Sequence, residues 1–150
     1  MLGNLTDAQI DHVLQAQTLG RIGCYADGKI YVVPVTYAFH GGYLYAHSKE
    51  GMKVKMMRKN SSVCFQVDVM ENMTNWRSVI LWGQFEELKS DKAQQAGMKI
   101  MMDRLAPFVI SETVRSFQSF SHAPDIVEKG FKPVAYRIRV TEKTGRFEKS

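Results

Sequence analysis

The stretch HSKEGMKVKMMRK, from His47 to Lys59, gathers the residue types that hold a phosphate or another small anion. Such a ligand wants fixed N–H donors, hydroxyl donors and cationic charge, and a helix N-terminus adds roughly half a positive charge from its aligned peptide dipoles. His47 and Ser48 supply side-chain donors, Gly51 and Met52 offer backbone N–H groups where a helix begins, and Lys53 places an ammonium in the first turn. Lys49, Lys53, Lys55, Arg58 and Lys59 stand here against Glu50 alone, so the segment carries +4 of the chain's formal +5 and the remainder sums to +1. One compact cluster suits one small anion, whereas a protein that follows a nucleic-acid backbone spreads its charge over a wide face. The same charges also fit a solvated amphipathic helix over 51–60, which turns Val54 and Met57, with Met56, toward a core and leaves Lys55, Arg58 and Lys59 at the rim.

Other chemistries find little footing. His12, His40 and His122 fall on a helix, in a turn and in an irregular loop, none at metal-ligand spacing, and no Ser/His/Asp or Cys/His arrangement is readable. Cys24 and Cys64 lie far apart in apolar strand-like runs and read as buried thiols. Trp76 and Trp82 could stack on a planar ligand, but at strand spacing they fit core or interface contacts better. There is no GxGxxG fingerprint, so a nicotinamide donor would have to dock directly on another cofactor.

The 150 residues, 45% hydrophobic, fit one domain spanning 1–150. No apolar run is long enough for a membrane helix, and MLGNLTDAQIDH has neither a basic nor an apolar leader region, so the expectation is a cytoplasmic protein without membrane or nucleic-acid partners. TDAQIDHVLQAQ carries a capping-box pattern from Thr6 to Gln9 and an apolar face of Ile10, Val13 and Leu14. RIGCYA and KIYVVPVTYAF are joined by Asp27-Gly28, a hairpin signature, and His40-Gly41-Gly42 turns the chain into YLYAH. SSVCFQVDVM and WRSVILWGQFEEL follow, with a polar turn expected around Glu71-Asn72. SDKAQQAGMKIMMDRLAPF spaces Ala93, Ala96, Ile100, Met101 and Leu105 as a helix that Pro107 ends, and irregular helical turns continue toward Ser121 and Pro124. KPVAYRIRVTEK is the last strand. Clustered strands, a helical excursion and one returning strand describe a mainly β protein, a small antiparallel barrel with appended helices. Pro34 belongs on an edge or a bulge, because it lacks an N–H. There the sheet either opens, offering backbone groups to a heterocycle, or is simply blunted against aggregation.

In order, GRIGCYADGKIYVVPVTYAF, GYLYAHSKEGMK, RKNSSVCFQVD, RSVILWGQFEEL and AYRIRVTEKTGRFEK resemble the FMN-binding split-barrel proteins related to pyridoxamine 5′-phosphate oxidase, in particular the nitroimidazole-reductase (Nim) type. The resemblance implies an antiparallel Greek-key split barrel and a homodimer with FMN at the subunit interface. It implies that Val33, Pro34, Val35 and Thr36 line the flavin ring, partly through their backbone. His47, Ser48 and Lys53 would meet the phosphate with N–H groups of Gly51 and Met52, and Ser78 would contact the isoalloxazine. The activity implied is FMN-dependent reduction of small acceptors such as nitroaromatics or quinones, with a small-molecule electron donor. A carrier or sensor that binds flavin or haem without turnover is the alternative. Vitamin B6 oxidation is not expected, because only Arg146 in TGRFEKS stands where the oxidases carry an Arg- and His-containing motif in a longer C-terminal region.

Overall fold

The computed structural model describes residues 1–108 and 133–150. Chain order is β1 (Leu2–Asn4), α1 (Asp7–Ala16), β2 (Leu19–Ala26), β3 (Lys29–Thr36), β4 (Ala38–His40), β5 (Tyr43–Lys49), α2 (Met52–Lys59), β6 (Ser62–Asn72), β7 (Asn75–Glu87), α3 (Asp91–Leu105) and β8 (Pro133–Glu148), with a 3₁₀ turn over Ala106–Phe108. The strands form one sheet in the order β3-β2-β6-β7-β8-β5-β4, with β1 added beside β8. Every ladder is antiparallel, and the non-consecutive neighbours β2–β6 and β8–β5 make it the expected Greek-key split barrel with helices attached. Helical turns expected beyond Phe108, together with His122 and Pro124, lie outside the described residues.

Local chemistry accounts for the early elements. Gln9 N–H donates to Thr6 Oγ1 at 3.2 Å while Thr6 N–H donates to Gln9 Oε1 at 2.8 Å, closing the capping box that starts α1. The β2–β3 turn needs positive φ at both central residues, 52° at Asp27 and 76° at Gly28. The turn between β6 and β7 falls at Met73-Thr74, later than expected, because the Asn72 side-chain oxygen accepts from Thr74 N–H at 2.9 Å and moves the reversal past Asn72.

The two ends of the sheet, β3 and β4, meet at a corner made by Tyr37, which separates them in the chain. Tyr37 is buried, its hydroxyl donates to Leu14 O at 2.8 Å, and its ring packs edge-on against Phe65 at 5.1 Å. That anchoring divides the expected single run KIYVVPVTYAF into two strands. No ladder among the described residues links β3 to β4 or gives β3 a second neighbour, so β3 is an edge strand of the described sheet, and Pro34 sits on it opposite Arg21.

The core inside the barrel joins Ile22, Phe65, Leu81 and Ile138 to the inner faces of α1 and α2. A second cluster lies outside it, where Met98, Met101 and Leu105 of α3 cover Tyr45, Leu88 and Ala135. This layer corrects one sequence expectation: α3 turns Gly97 and Met98 inward while Ala96 is exposed, and Ala135 is buried beneath the helix. Gly97 permits the approach, since a Cβ there would lie 2.5 Å from Leu88 Cδ1.

Tyr136 projects into the barrel wholly buried, and its hydroxyl has no hydrogen-bond partner among the described residues. Burial pushes its pKa up. An unsatisfied buried hydroxyl costs more than the aromatic ring alone, so Tyr136→Phe should raise unfolding free energy by about 1 kcal/mol. Denaturant titration checks this, and a loss of stability would mean that the hydroxyl is engaged.

Candidate functional site

The helix expected after HSKEG forms as α2, with Gly51 as its N-cap and Asn60 as its C-cap. Val54, Met56 and Met57 are buried against the barrel and give this short helix its stability. Gly51 is extended and no side chain caps the helix start, so the first-turn N–H groups keep their donor capacity for a ligand.

The positive cluster is less free than its sequence implies. Lys59 Nζ pairs with Asp27 Oδ2 at 2.6 Å. Arg58 bridges Glu87, with Nε 2.7 Å from Oε1, and grips the Glu50 carboxylate through both terminal nitrogens. Lys53 differs, being half-buried and in no ion pair among the described residues. Burial lowers its pKa, opposed by the field of Cys24. A partly desolvated ammonium without a carboxylate is the arrangement in which a bound anion gains most.

The same lysine reaches two further groups. Cys24 is buried and its thiol pKa is raised by desolvation, an effect that Lys53 opposes. His47, at the end of β5, has its pKa pushed down to about 4, first by burial and then by the Lys53 charge. Unfolded His47 titrates near 6.5, so the native state favours the neutral ring. Its contribution to stability is full above about pH 6.5 and is lost as pH falls toward 4. In ligand-free protein we expect His47→Gln to remove a decline of about 2 kcal/mol between pH 6.5 and 4, a value discounted for the ring's partial exposure. Parallel pH–stability curves for both proteins would contradict this.

The other expected residues divide by face. His47 and Ser48 alternate along β5, and the Ser48 hydroxyl donates to Lys49 O at 2.8 Å. Met52 is 51% exposed, so its part could only be through its backbone. On β3, Val33 and Val35 point toward the core while Pro34 and Thr36 are exposed, so one flat ligand meets only one pair by side chain. Cys24 lies opposite Tyr31, two residues before Val33 or about 7 Å along the edge. Cys24, whose thiol feels the Lys53 charge, thus relates the start of α2 to the β3 edge.

Ser78 is not brought to this group. It pairs with Asp68, whereas Gly23, next to Cys24, pairs with Cys64 four residues earlier on β6, about 13 Å away. Ser78 lies on the outward face, accepting from Gln66 Nε2 at 3.1 Å beside the Arg21–Asp68 pair. Cys64 also faces outward and is only partly buried, which corrects the reading of both thiols as core; Cys24 alone is. Around them the face exposes Leu19, Val32, Ile80 and Trp82. Trp76, by contrast, is fixed by donating to Glu148 Oε2 at 3.0 Å. A groove of about 540 Å³ runs between α1 and the β6–β7 hairpin, lined by Val13, Val69, Trp76 and Phe147, and touches none of the expected site residues. Sequence reading missed that Cys24 lies within the field of Lys53; only the inward alternation of RIGCYA hinted at it.

Comparison with known proteins bears on this arrangement. The sequence model of the pyridoxamine 5′-phosphate oxidase family matches residues 6–147. The chain belongs to the pyridoxamine 5′-phosphate oxidase family. For this family member, the crystal structure of a FAD-binding protein from Mesorhizobium loti aligns over 99% of this chain and 99% of its own, with a TM-score of 0.76 and 27% identity. That of a proposed 5-nitroimidazole antibiotic resistance protein from Bacteroides thetaiotaomicron covers 98% of this chain and 87% of its own at TM-score 0.72 and 17% identity, a likeness of fold. An uncharacterized protein of Rhizobium meliloti (strain 1021) is 38% identical over 76 residues, which is 51% of this chain. The match spans about half the length of that curated relative. No described helix is long and apolar enough to cross a membrane.

Proposed function

We propose that this family member binds flavin as FMN in a homodimer and acts in the cytoplasm as an oxidoreductase for small acceptors such as nitroaromatics or quinones. Lys53 carries the reading: a half-buried ammonium, in no ion pair among the described residues, at a helix start that no side chain caps. The FAD-binding relative from Mesorhizobium loti, similar over its whole length, supports a flavin. Lys53 and the N–H groups of Gly51 and Met52 would hold the phosphate, with His47 and Ser48 beside it. The edge of β3 would present N–H and C=O groups to the ring, with Thr36 or Val33 and Val35 against it according to the face used. Bound flavin would supply hydride and single-electron transfer. The protein's own part is to orient the ring, limit water and admit donor and acceptor in turn.

A second copy completes the site in this reading. The outward face exposes Leu19 at 47%, Val32 at 60% and Trp82 at 38%, an apolar surface of the kind that marks interfaces. Ser78 and Gln66 lie in that face, so docking it on another copy's β3 edge would deliver Ser78 to the flavin from the partner. Unpaired cysteines suit a reducing compartment.

The test is absorbance and calorimetric titration of ligand-stripped protein with FMN, FAD and haemin. One FMN per chain, held more tightly than FAD, is expected. NAD(P)H-dependent reduction of nitro or quinone acceptors then separates an enzyme from a carrier or sensor. Protein that takes neither flavin keeps its barrel and loses this function.

A further inference from the structure

We propose that Arg58 is a positioning residue of the anion site, which it serves by offsetting the charge of Glu50; the inference rests on the phosphate reading above. Glu50 directly precedes the N-cap Gly51, so it adds a negative charge next to the helix start whose N–H groups would receive an anion. An unmasked carboxylate there would oppose phosphate with the same field that Lys53 uses to attract it. Arg58 is seven residues beyond Gly51, close to two helical turns, and its guanidinium therefore returns along the helix to Glu50.

The geometry is that of a clamp rather than a surface pairing. Arg58 Nη1 and Nη2 both bond the Glu50 carboxylate, the latter at 3.2 Å, while Nε bonds Glu87 Oε1 at 2.7 Å. Side-chain exposures of 38% for Arg58, 31% for Glu50 and 21% for Glu87 place the three partly out of water, where such forks act more strongly. The hydrogen bond to Glu87, then that to Glu50, holds the guanidinium charged. One cation, shared between two carboxylates, thus fixes the turn before α2 to the end of β7 and offsets much of the Glu50 charge beside the helix start.

A staple without an electrostatic role would give a different mutant pattern, and FMN titration of four variants distinguishes the two. Arg58→Met keeps the alkyl stem and should weaken FMN binding at least fivefold, the loss shrinking as salt is raised. Adding Glu50→Gln should recover most of the lost affinity, since the carboxylate beside the N-cap is then gone and only Glu87, at the end of β7, is left without its guanidinium. Arg58→Lys, holding one acid and less firmly, should lose two- to threefold and be restored by the same second change, which serves if the methionine variant does not fold. Wild-type affinity in Arg58→Met, or a loss that Glu50→Gln does not repair, overturns the inference. If wild type binds no flavin, the phosphate reading of FMN fails separately, and the same series is run with inorganic phosphate. The same rank order would sustain the role of Arg58, and absence of phosphate binding would end it.

Discussion

Replacing Gly83 by alanine is expected to destabilise the protein by about 3 kcal/mol and to lower its melting temperature by about 10 °C. A Cβ at Gly83 would lie 2.4 Å from the Arg139 carbonyl oxygen and 2.7 Å from Ile138 Cγ2, so relief requires moving β8 backbone rather than swinging a side chain. The site is also where the ladder slips: Trp82 pairs with Glu142 but Gly83 with Val140, and the extra residue Thr141 donates its hydroxyl to Trp82 O at 3.1 Å. Such a bulge bends the strand and tightens its twist, which a closing sheet requires. Gly51→Ala is the control, because a Cβ there has, among the described residues, only Lys49 O, at 3.8 Å, as a neighbour. Calorimetry on the two variants decides the matter. Equal melting temperatures would show that the β7–β8 approach is looser than its distances imply.

Lys53→Met should reduce FMN affinity by between tenfold and a hundredfold while leaving the fold intact. A charged hydrogen bond to phosphate contributes about 1.5–3 kcal/mol, and methionine keeps an unbranched apolar stem of similar length. Removing the charge also lifts its depressing effect on His47 and its opposition to the raised thiol pKa of Cys24. The ring should therefore titrate at higher pH in the variant, which NMR of its imidazole protons reports without any ligand. Unchanged FMN affinity would move the phosphate away from α2. An unmoved His47 titration would instead contradict the proximity of the two side chains.

The sequence was most informative where structure is local. The capping box of α1, the Asp27-Gly28 turn and the span of α2 each depend on a few adjacent residues, and each stands where its chemistry puts it. β1 and β4 have three residues each and exist only because β8 and β5 receive them, so no periodicity could announce them. The second apolar layer escaped notice for a related reason: Ala135 and Tyr45 look like outer-face positions until α3 covers them. In the candidate site, the residue types at His47 to Lys53 were readable because backbone donors and cations fall in one short segment. Which cations stay available was not, since Arg58 and Lys59 find Glu87 and Asp27 some 29 and 32 residues away. Ser78 shows the same limit in another form, because a single strand does not reveal that its outward neighbours are Gln66 and the Arg21–Asp68 pair.

The position of β8 governs how the chain can reach this fold. This strand of 16 residues lies between β5 and β7 and also carries β1, whose Leu2 pairs with Glu148. Until it emerges from the ribosome, β7 presents a 13-residue edge with no neighbour on that side among the described residues, and β5 has among them only the short β4. Barrel closure therefore waits until residues 133–148 have been synthesised, with folding slowed by contacts distant in sequence. During that interval the bare edge of β7 is the surface most prone to pair with another nascent chain. Products interrupted before β8 should accumulate as aggregates rather than as partly active protein.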